Sequence, residues 1–341
     1  MGVTIWTTTD CNLQCEYCYE LKSEQRNNLS KKTYMQVSQI LEWLKKNDLG
    51  KDRIIFHGGE PLLRFSVIKE ITESLNEKNR LPQRMGLTTN GTIWNDEIEC
   101  FFAKYRFLFQ EDMSISIDGT EHMHDRFRKT VSGDGSYKKV LATQKKMIKI
   151  FPQLRVRMTI TPDDLEHLCE GIKSLADLGF QTISADLDYY DQRWSENHMQ
   201  ILKEQVIQII EFWKSNPHLR LPFVDSIRYR RSKGKCIFSY NIYPNGDIYP
   251  CIAVTGVEDF CIGNVIDGFD CKKIEELKEK LSQEYQLCKT CNNKKFCVHN
   301  RCKFVNYVLN DSFDLPSFLG CRIENLKLEL EQYLSPYINY I

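Results

Sequence analysis

The chain has no excess of charge of either sign: Lys plus Arg and Asp plus Glu stand at 46 each in 341 residues. That balance removes the long-range field expected of a protein that binds nucleic acid or a membrane surface through bulk electrostatics. The opening "MGVTIWTTTD" lacks the basic segment and apolar core of a signal peptide, and no apolar run is long enough to span a bilayer. A cytoplasmic protein is expected, with no membrane and no nucleic-acid partner. No internal repeat and no low-complexity segment is present. What the chain has in plenty is cysteine, 14 residues gathered mainly near its two ends. In a reducing compartment such clusters point to metal rather than to disulfides.

From residue 3 to about 215, β-prone runs alternate with segments of helical periodicity. The six strand candidates are "VTIWTTT", "RIIFHGG", "MGLTTN", "MSISIDG", "LRVRMTIT" and "QTISADLDYY". Between them, Tyr34, Val37, Leu41 and Leu44 share one helical face, as do Val140, Met147 and Ile148, and Thr161-Pro162 reads as a helix cap followed by proline in the first turn. Strand and helix in alternation imply a parallel sheet of βα units. Ligands of such sheets sit at the carboxyl ends of the strands, which here carry Cys11, "GGEP", "TNG", "SIDG" and "DLDYY". The longest βα connection, "GTEHMHDRFRKTVSGDG", is the natural place for polar ligand contacts.

After residue 215 the pattern changes. A basic stretch, Arg228 to Lys235, precedes "CIFSYNIYPNGDIYPC", two strands around a Pro-Asn-Gly-Asp turn, and a helical tail is expected from about Arg322 to Tyr333. The basic stretch reads as a solvated linker or, alternatively, a contact for substrate. Cys100 and Cys169 read as small buried or helix-surface residues, and His57 as a strand-end packing residue.

Three cysteines, Cys11, Cys15 and Cys18, follow the first strand as "CNLQCEYCY". Structural zinc takes four protein ligands and iron–sulfur clusters usually take four thiolates. Three thiolates can hold three irons of a [4Fe–4S] cube and leave the fourth to a ligand that chelates through amino and carboxylate groups. The alternatives are a zinc site completed by a distant histidine, or a cluster for electron transfer alone. The spacing C-x3-C-x2-C, with Tyr17 before the last cysteine and "GGEP" at the end of the second strand, resembles the radical S-adenosylmethionine (SAM) superfamily. The resemblance implies an α/β fold, a partial (β/α)6 TIM-type barrel, spanning residues 1–220.

For SAM it implies contacts from Tyr17 to adenine, from Gly58, Gly59, Glu60 and Pro61 to the methionine end, from Ser116 to ribose and from Arg128 to the carboxylate, with Arg126 the competing guanidinium. Glu60 can accept from the amino group or hold the loop, and Asn90 can line the same mouth or form an Asn-Gly turn.

The second cysteine set, with "IGNV" at Ile262 to Val265 between its halves, resembles the SPASM domain, expected over residues 221–341. That resemblance implies two auxiliary [4Fe–4S] clusters: Cys236, Cys251 and Cys302 for the first, and Cys288, Cys291, Cys297 and Cys321 for the second. The first set is one ligand short, and either Cys261 or Cys271 completes it or an iron stays open.

The combined resemblance implies reductive cleavage of SAM to a 5′-deoxyadenosyl radical and hydrogen abstraction from a peptide. The favoured expectation is a maturase of ribosomally made peptides that forms a thioether or carbon–carbon crosslink. Sulfatase maturases of this family place a catalytic Asp after the cysteine matching Cys251, whereas Ile252 stands here. Formylglycine formation and peptide epimerisation are the alternatives, and an iron–sulfur electron carrier is the non-enzymatic one. Substrate-side acids or bases are expected from Asp186, Asp188, Tyr189 or Tyr190. Partners implied are a precursor peptide or protein, a reductant such as flavodoxin or ferredoxin and, because only ten residues precede Cys11, a separate leader-binding protein. Anaerobic reconstitution should give about twelve irons per chain if three cubes bind; a value near four would leave only the first cluster.

Overall fold

A computed structural model describes residues 2–22, 34–229, 238–297, 302–313 and 315–337. Cys236 and residues 230–235 of the basic stretch lie outside the described residues. All six expected strands form: β1 Val3–Thr8, β2 Arg53–Gly58, β3 Arg84–Thr89, β4 Asp112–Ser116, β5 Arg155–Ile160 and β6 Thr182–Leu187. With β7 Tyr240–Ile242 and β8 Ile248–Tyr249 they make a mostly parallel sheet of order β6-β5-β4-β3-β2-β1-β7-β8. Helices such as Val37–Lys46, Phe65–Glu77 and Tyr137–Ile150 fill the connections. Among the described residues no helix is long and apolar enough to cross a membrane.

The chain divides into two compact units, 1–117 with 124–156 and 238–274, and 118–123 with 157–237 and 275–341. In the first, β1 is buried on both faces through Val3, Ile5, Trp6, Thr7 and Thr8, as a strand covered on both sides must be. The aromatic residues Phe65, Phe101, Phe102 and Phe109 form its densest packing, with ring centroids of successive pairs 5.0–5.2 Å apart.

The hairpin around Pro244 to Asp247 forms as expected. Tyr243 N–H donates to Asp247 O at 2.8 Å, and β7 adds in parallel to the free edge of β1, Val3 opposite Tyr240. Local pattern foretold the hairpin but not its attachment. In the second unit, Glu196–Ser215 packs on Phe318–Leu334; Leu202, Val206 and Ile209 of the one and Leu326 and Leu330 of the other are buried, and Lys203 Nζ donates to Glu329 Oε2 at 3.0 Å. The latter helix begins four residues ahead of the expected start because the Ser317 side chain caps Gly320 N–H.

Thr161 takes the cap position with Pro162 in the first turn, as expected, but without a side-chain cap bond, and the turn is 3-10, Pro162–His167, ahead of the helix Leu168–Asp177. The long connection after β4 contains the helix Glu121–Phe127 and a bridge between Lys129 and Gly135.

At the amino ends of β2 to β4, Asp112 accepts from Arg53 Nε at 2.9 Å and Nη2 at 2.7 Å, and Arg84 Nε lies 3.4 Å away. Its carboxylate is almost buried while both arginines are partly solvated. Asp112→Ala should therefore cost roughly 2 kcal/mol, below the range for fully buried pairs. Chemical denaturation would read this, and an unchanged midpoint would contradict the clamp.

Candidate active site

The cysteine loop is held from both sides. As β1 ends, Thr8 Oγ1 accepts from Asp10 N–H at 3.0 Å. Further on, Gln14 N–H donates to Lys129 O at 2.8 Å and Glu16 N–H to Phe127 O at 3.2 Å, with buried Leu13 bridged to Thr130. Cys18 N–H closes a turn onto Cys15 O at 3.0 Å. Backbone bonds to the 127–130 segment thus fix the loop.

On the other side runs "GGEP". The β1–β2 register shifts between Trp6 and Thr8, and pairing then continues past both strands: Gly59 N–H donates to Thr8 O at 3.1 Å and Glu60 N–H to Asp10 O at 2.9 Å. A Cβ at Gly58 would overlap the Thr8 carbonyl and one at Gly59 the Asp10 carbonyl; Gly58 also has φ +134°. Only glycine allows this approach.

Glu60 is fully buried. Its Oε1 accepts from Leu62 N–H at 3.0 Å and Thr89 Oγ1 at 2.9 Å, and its Oε2 accepts from Asn90 N–H at 2.7 Å. Of its two expected roles, these bonds are those of the loop holder. Burial pushes its pKa up to about 7, against the lowering effect of the Asn90, Leu62 and Thr89 bonds. Asn90 forms the Asn-Gly turn and also reaches the cysteine loop. Its Oδ1 accepts from Thr92 N–H, while its Nδ2 donates to Asn12 Oδ1 at 2.9 Å and to Cys11 Sγ at 3.7 Å. Leu13 N–H donates to the same sulfur at 3.4 Å.

Of the two arginines, Arg128 lies against the loop: its guanidinium is 5.3 Å from the Tyr17 ring centroid, whereas Arg126 covers Phe127 at 5.2 Å. Arg128 and Ser116 are both about nine-tenths buried. Two residues that sequence reasoning passed over hold the Arg128 backbone. Ser136 Oγ donates to Arg128 O at 2.7 Å, and His124 Nε2 lies 2.9 Å from the same hydroxyl. The contact is made through the Arg128 carbonyl, so no side-chain spacing signals it.

In the second unit, Cys288, Cys291, Cys297 and Cys321 share one neighbourhood. Burial pushes the Cys321 thiol up to about 11, and Cys297, Cys288 and Cys291 push it further the same way. Cys302 precedes the helix Lys303–Asn310. In the first unit, Cys251 opens the 3-10 turn Ile252–Val254, Cys261 Sγ donates to Gly263 O at 3.2 Å, and exposed Cys271 begins a helix. Cys100 is exposed on a helix and Cys169 is buried in one.

Asp186 is paired with Arg157 at 3.0 Å, and Asp188 Oδ1 accepts from Tyr190 N–H at 3.0 Å. Burial raises Tyr189 far above its usual range, with Asp186, Glu324, Cys302 and Cys297 acting in the same direction. Tyr189 also borders a cleft of about 210 Å³ with Trp194, Met199, Phe318 and Arg322.

By composition the donors suit a [4Fe–4S] cluster with three protein ligands: three cysteines lie on one tied loop, and two N–H groups donate to the Cys11 sulfur, as suits a thiolate. Among the described residues no three such side chains stand together as a ready metal site. Residues 6–172 match the model of the radical SAM superfamily. The chain is 22% identical over 322 residues, 85% of either protein, to the cysteine-type anaerobic sulfatase-maturating enzyme of Clostridium perfringens. Its fold matches native anSMEcpe with bound AdoMet and Cp18Cys peptide with TM-score 0.78 at 18% identity, over 99% of this chain and 98% of that one. Streptococcus suis SuiB bound to precursor peptide SuiA follows with TM-score 0.61 at 17% identity, over 94% and 75%. Residues 6–172 thus form a radical SAM domain, in an α/β enzyme of partial-barrel type with a cysteine-rich C-terminal region.

The raised pKa of Glu60 sets a pH dependence. Its folded pKa of about 7 exceeds the ordinary glutamate value of 4.5, so the folded chain binds more protons between those values. The stability associated with protonated Glu60 is full below about 4.5 and is lost as pH rises through 7. In the metal-free chain, the wild-type advantage in unfolding free energy over Glu60→Gln should therefore shrink across this window; a constant difference would contradict it. Glu60→Ala strands three donors and should cost about 3 kcal/mol at the acid end, the cost shrinking across the same window.

Proposed function

We propose that this enzyme modifies a peptide, and that it is a maturase of a ribosomally made precursor, forming a thioether or carbon–carbon crosslink. Bound at Cys11, Cys15 and Cys18, a [4Fe–4S] cluster with SAM supplies the one-electron cleavage that yields a 5′-deoxyadenosyl radical. The chain's own residues bind and orient. Gly58 and Gly59 let the backbone approach the methionine end, Arg128 pairs with its carboxylate, Ser116 takes the ribose and Tyr17 the adenine. Glu60 keeps the strand ends in place beneath them.

Cys288, Cys291, Cys297 and Cys321 hold one auxiliary cluster, and Cys236, Cys251 and Cys302 hold another. Tyr189 stays protonated beside Cys297 and Cys302, which suits it to donate a hydrogen bond and not to act as a base. Asp186 and Asp188 are each engaged within the chain by Arg157 and by Tyr190 N–H.

The observation that carries the crosslinking reading is Ile252. It follows Cys251 in a 3-10 turn and is 38% exposed, where the sulfatase maturases of this family place an aspartate base. An aliphatic side chain cannot remove the proton that formylglycine formation requires. The second reading, a sulfatase maturase, is favoured by the 98% coverage of anSMEcpe against 75% of SuiB.

Replacing Cys11, Cys15 and Cys18 with Ala should abolish 5′-deoxyadenosine formation from SAM under reducing, anaerobic conditions; survival would refute the reading of the loop. Mass spectrometry of a precursor peptide encoded beside this gene separates the products. Loss of two hydrogens with linked residues is expected. An aldehyde would favour the sulfatase maturase, and an unchanged mass with altered stereochemistry an epimerase.

A further inference from the structure

The side-chain amide of Asn90 is fixed in one orientation. Its Oδ1 accepts from Thr92 N–H at 2.9 Å and from Thr92 Oγ1 at 2.7 Å. Exchanging oxygen and nitrogen would turn an NH2 group onto the Thr92 N–H donor, so the assignment follows from the network. The hydroxyl proton of Thr92 is committed too, since its oxygen accepts from Asn12 Nδ2 at 2.7 Å. Asn12 Oδ1 completes a closed ring by accepting from Asn90 Nδ2 at 2.9 Å.

One N–H of Asn90 remains, and it faces Cys11 Sγ at 3.7 Å. Asn90 and Thr92 are both more than nine-tenths buried, and the Asn90 backbone is anchored from below by Glu60. Cys11 itself is exposed, but rotation of the Asn90 side chain is blocked by the ring.

We infer that Asn90 is a positioning residue for Cys11, supplying a fixed N–H···S hydrogen bond that raises the reduction potential of the cluster held by the loop. A reduced cluster carries more negative charge on its thiolates, so a donor to sulfur stabilises the reduced form more than the oxidised one. The inference rests on the reading of Cys11, Cys15 and Cys18 as cluster ligands. It separates Asn90 from the residues that contact SAM: its effect is present before SAM binds.

The test is a potentiometric titration, followed by electron paramagnetic resonance, of the anaerobically reconstituted full chain without SAM. The signal of the loop cluster is the one lost on replacing Cys11, Cys15 and Cys18 with Ala. Asn90→Ala should shift its midpoint to a more negative value. Asn90→Asp keeps both acceptor bonds from Thr92, removes the donor and adds negative charge, so its shift should be larger in the same direction. That variant carries the test if Asn90→Ala fails to hold iron. A midpoint equal to wild type in a variant with full iron content would overturn the inference and leave the cluster reading intact. A wild-type protein without any signal dependent on Cys11, Cys15 and Cys18 would overturn both.

Discussion

The site is organised by one buried carboxylate. Glu60 accepts hydrogen bonds from Leu62, Thr89 and Asn90 and gives its own N–H to Asp10, and so joins the carboxyl ends of β1, β2 and β3. A buried charge is costly, and three donors in fixed positions offset that cost only if all are in place. The cysteine loop, the glycine pair and the Asn90 turn are therefore interdependent. Gly58 and Gly59 bring β2 close enough for Glu60 to reach, and Asn90 passes the constraint on to Cys11.

The opposite end of β2, β3 and β4 is clamped by different chemistry. There Asp112 is shared by Arg53 and Arg84, with partial access to water. This division matches the general behaviour of parallel α/β sheets, in which one end stabilises and the other binds. It also separates the residues whose loss should reduce stability alone from those whose loss should reach the cysteine loop.

The six strands were legible because each is a short β-branched or apolar run, five of them ended by Gly, Asn or Asp and β5 by Thr161-Pro162, and the cysteine loop because its spacing is specific. Several features were not. Addition of β7 to β1 joins residues more than two hundred positions apart, and no local pattern encodes such a partner. The helix Glu121–Phe127 is too short for periodicity to reveal. Thr161 has the residue type of a cap without the bond, since the turn after Pro162 is 3-10. Glu60 was legible as a motif residue, but which of its two roles it fills depends on Thr89 and Asn90, thirty positions away. His124 and Ser136 support Arg128 through its carbonyl, which no side-chain pattern marks.

The central claim is that the three-cysteine loop leaves one iron of its cluster for SAM. Electron–nuclear double resonance of the reduced protein with SAM carrying ¹⁵N in its amino group tests this most directly. A ¹⁵N coupling from a nitrogen bound to the cluster is expected, lost when Cys11, Cys15 and Cys18 are replaced. A reduced loop cluster that is fully assembled, in the presence of saturating SAM, and shows no such coupling would contradict it.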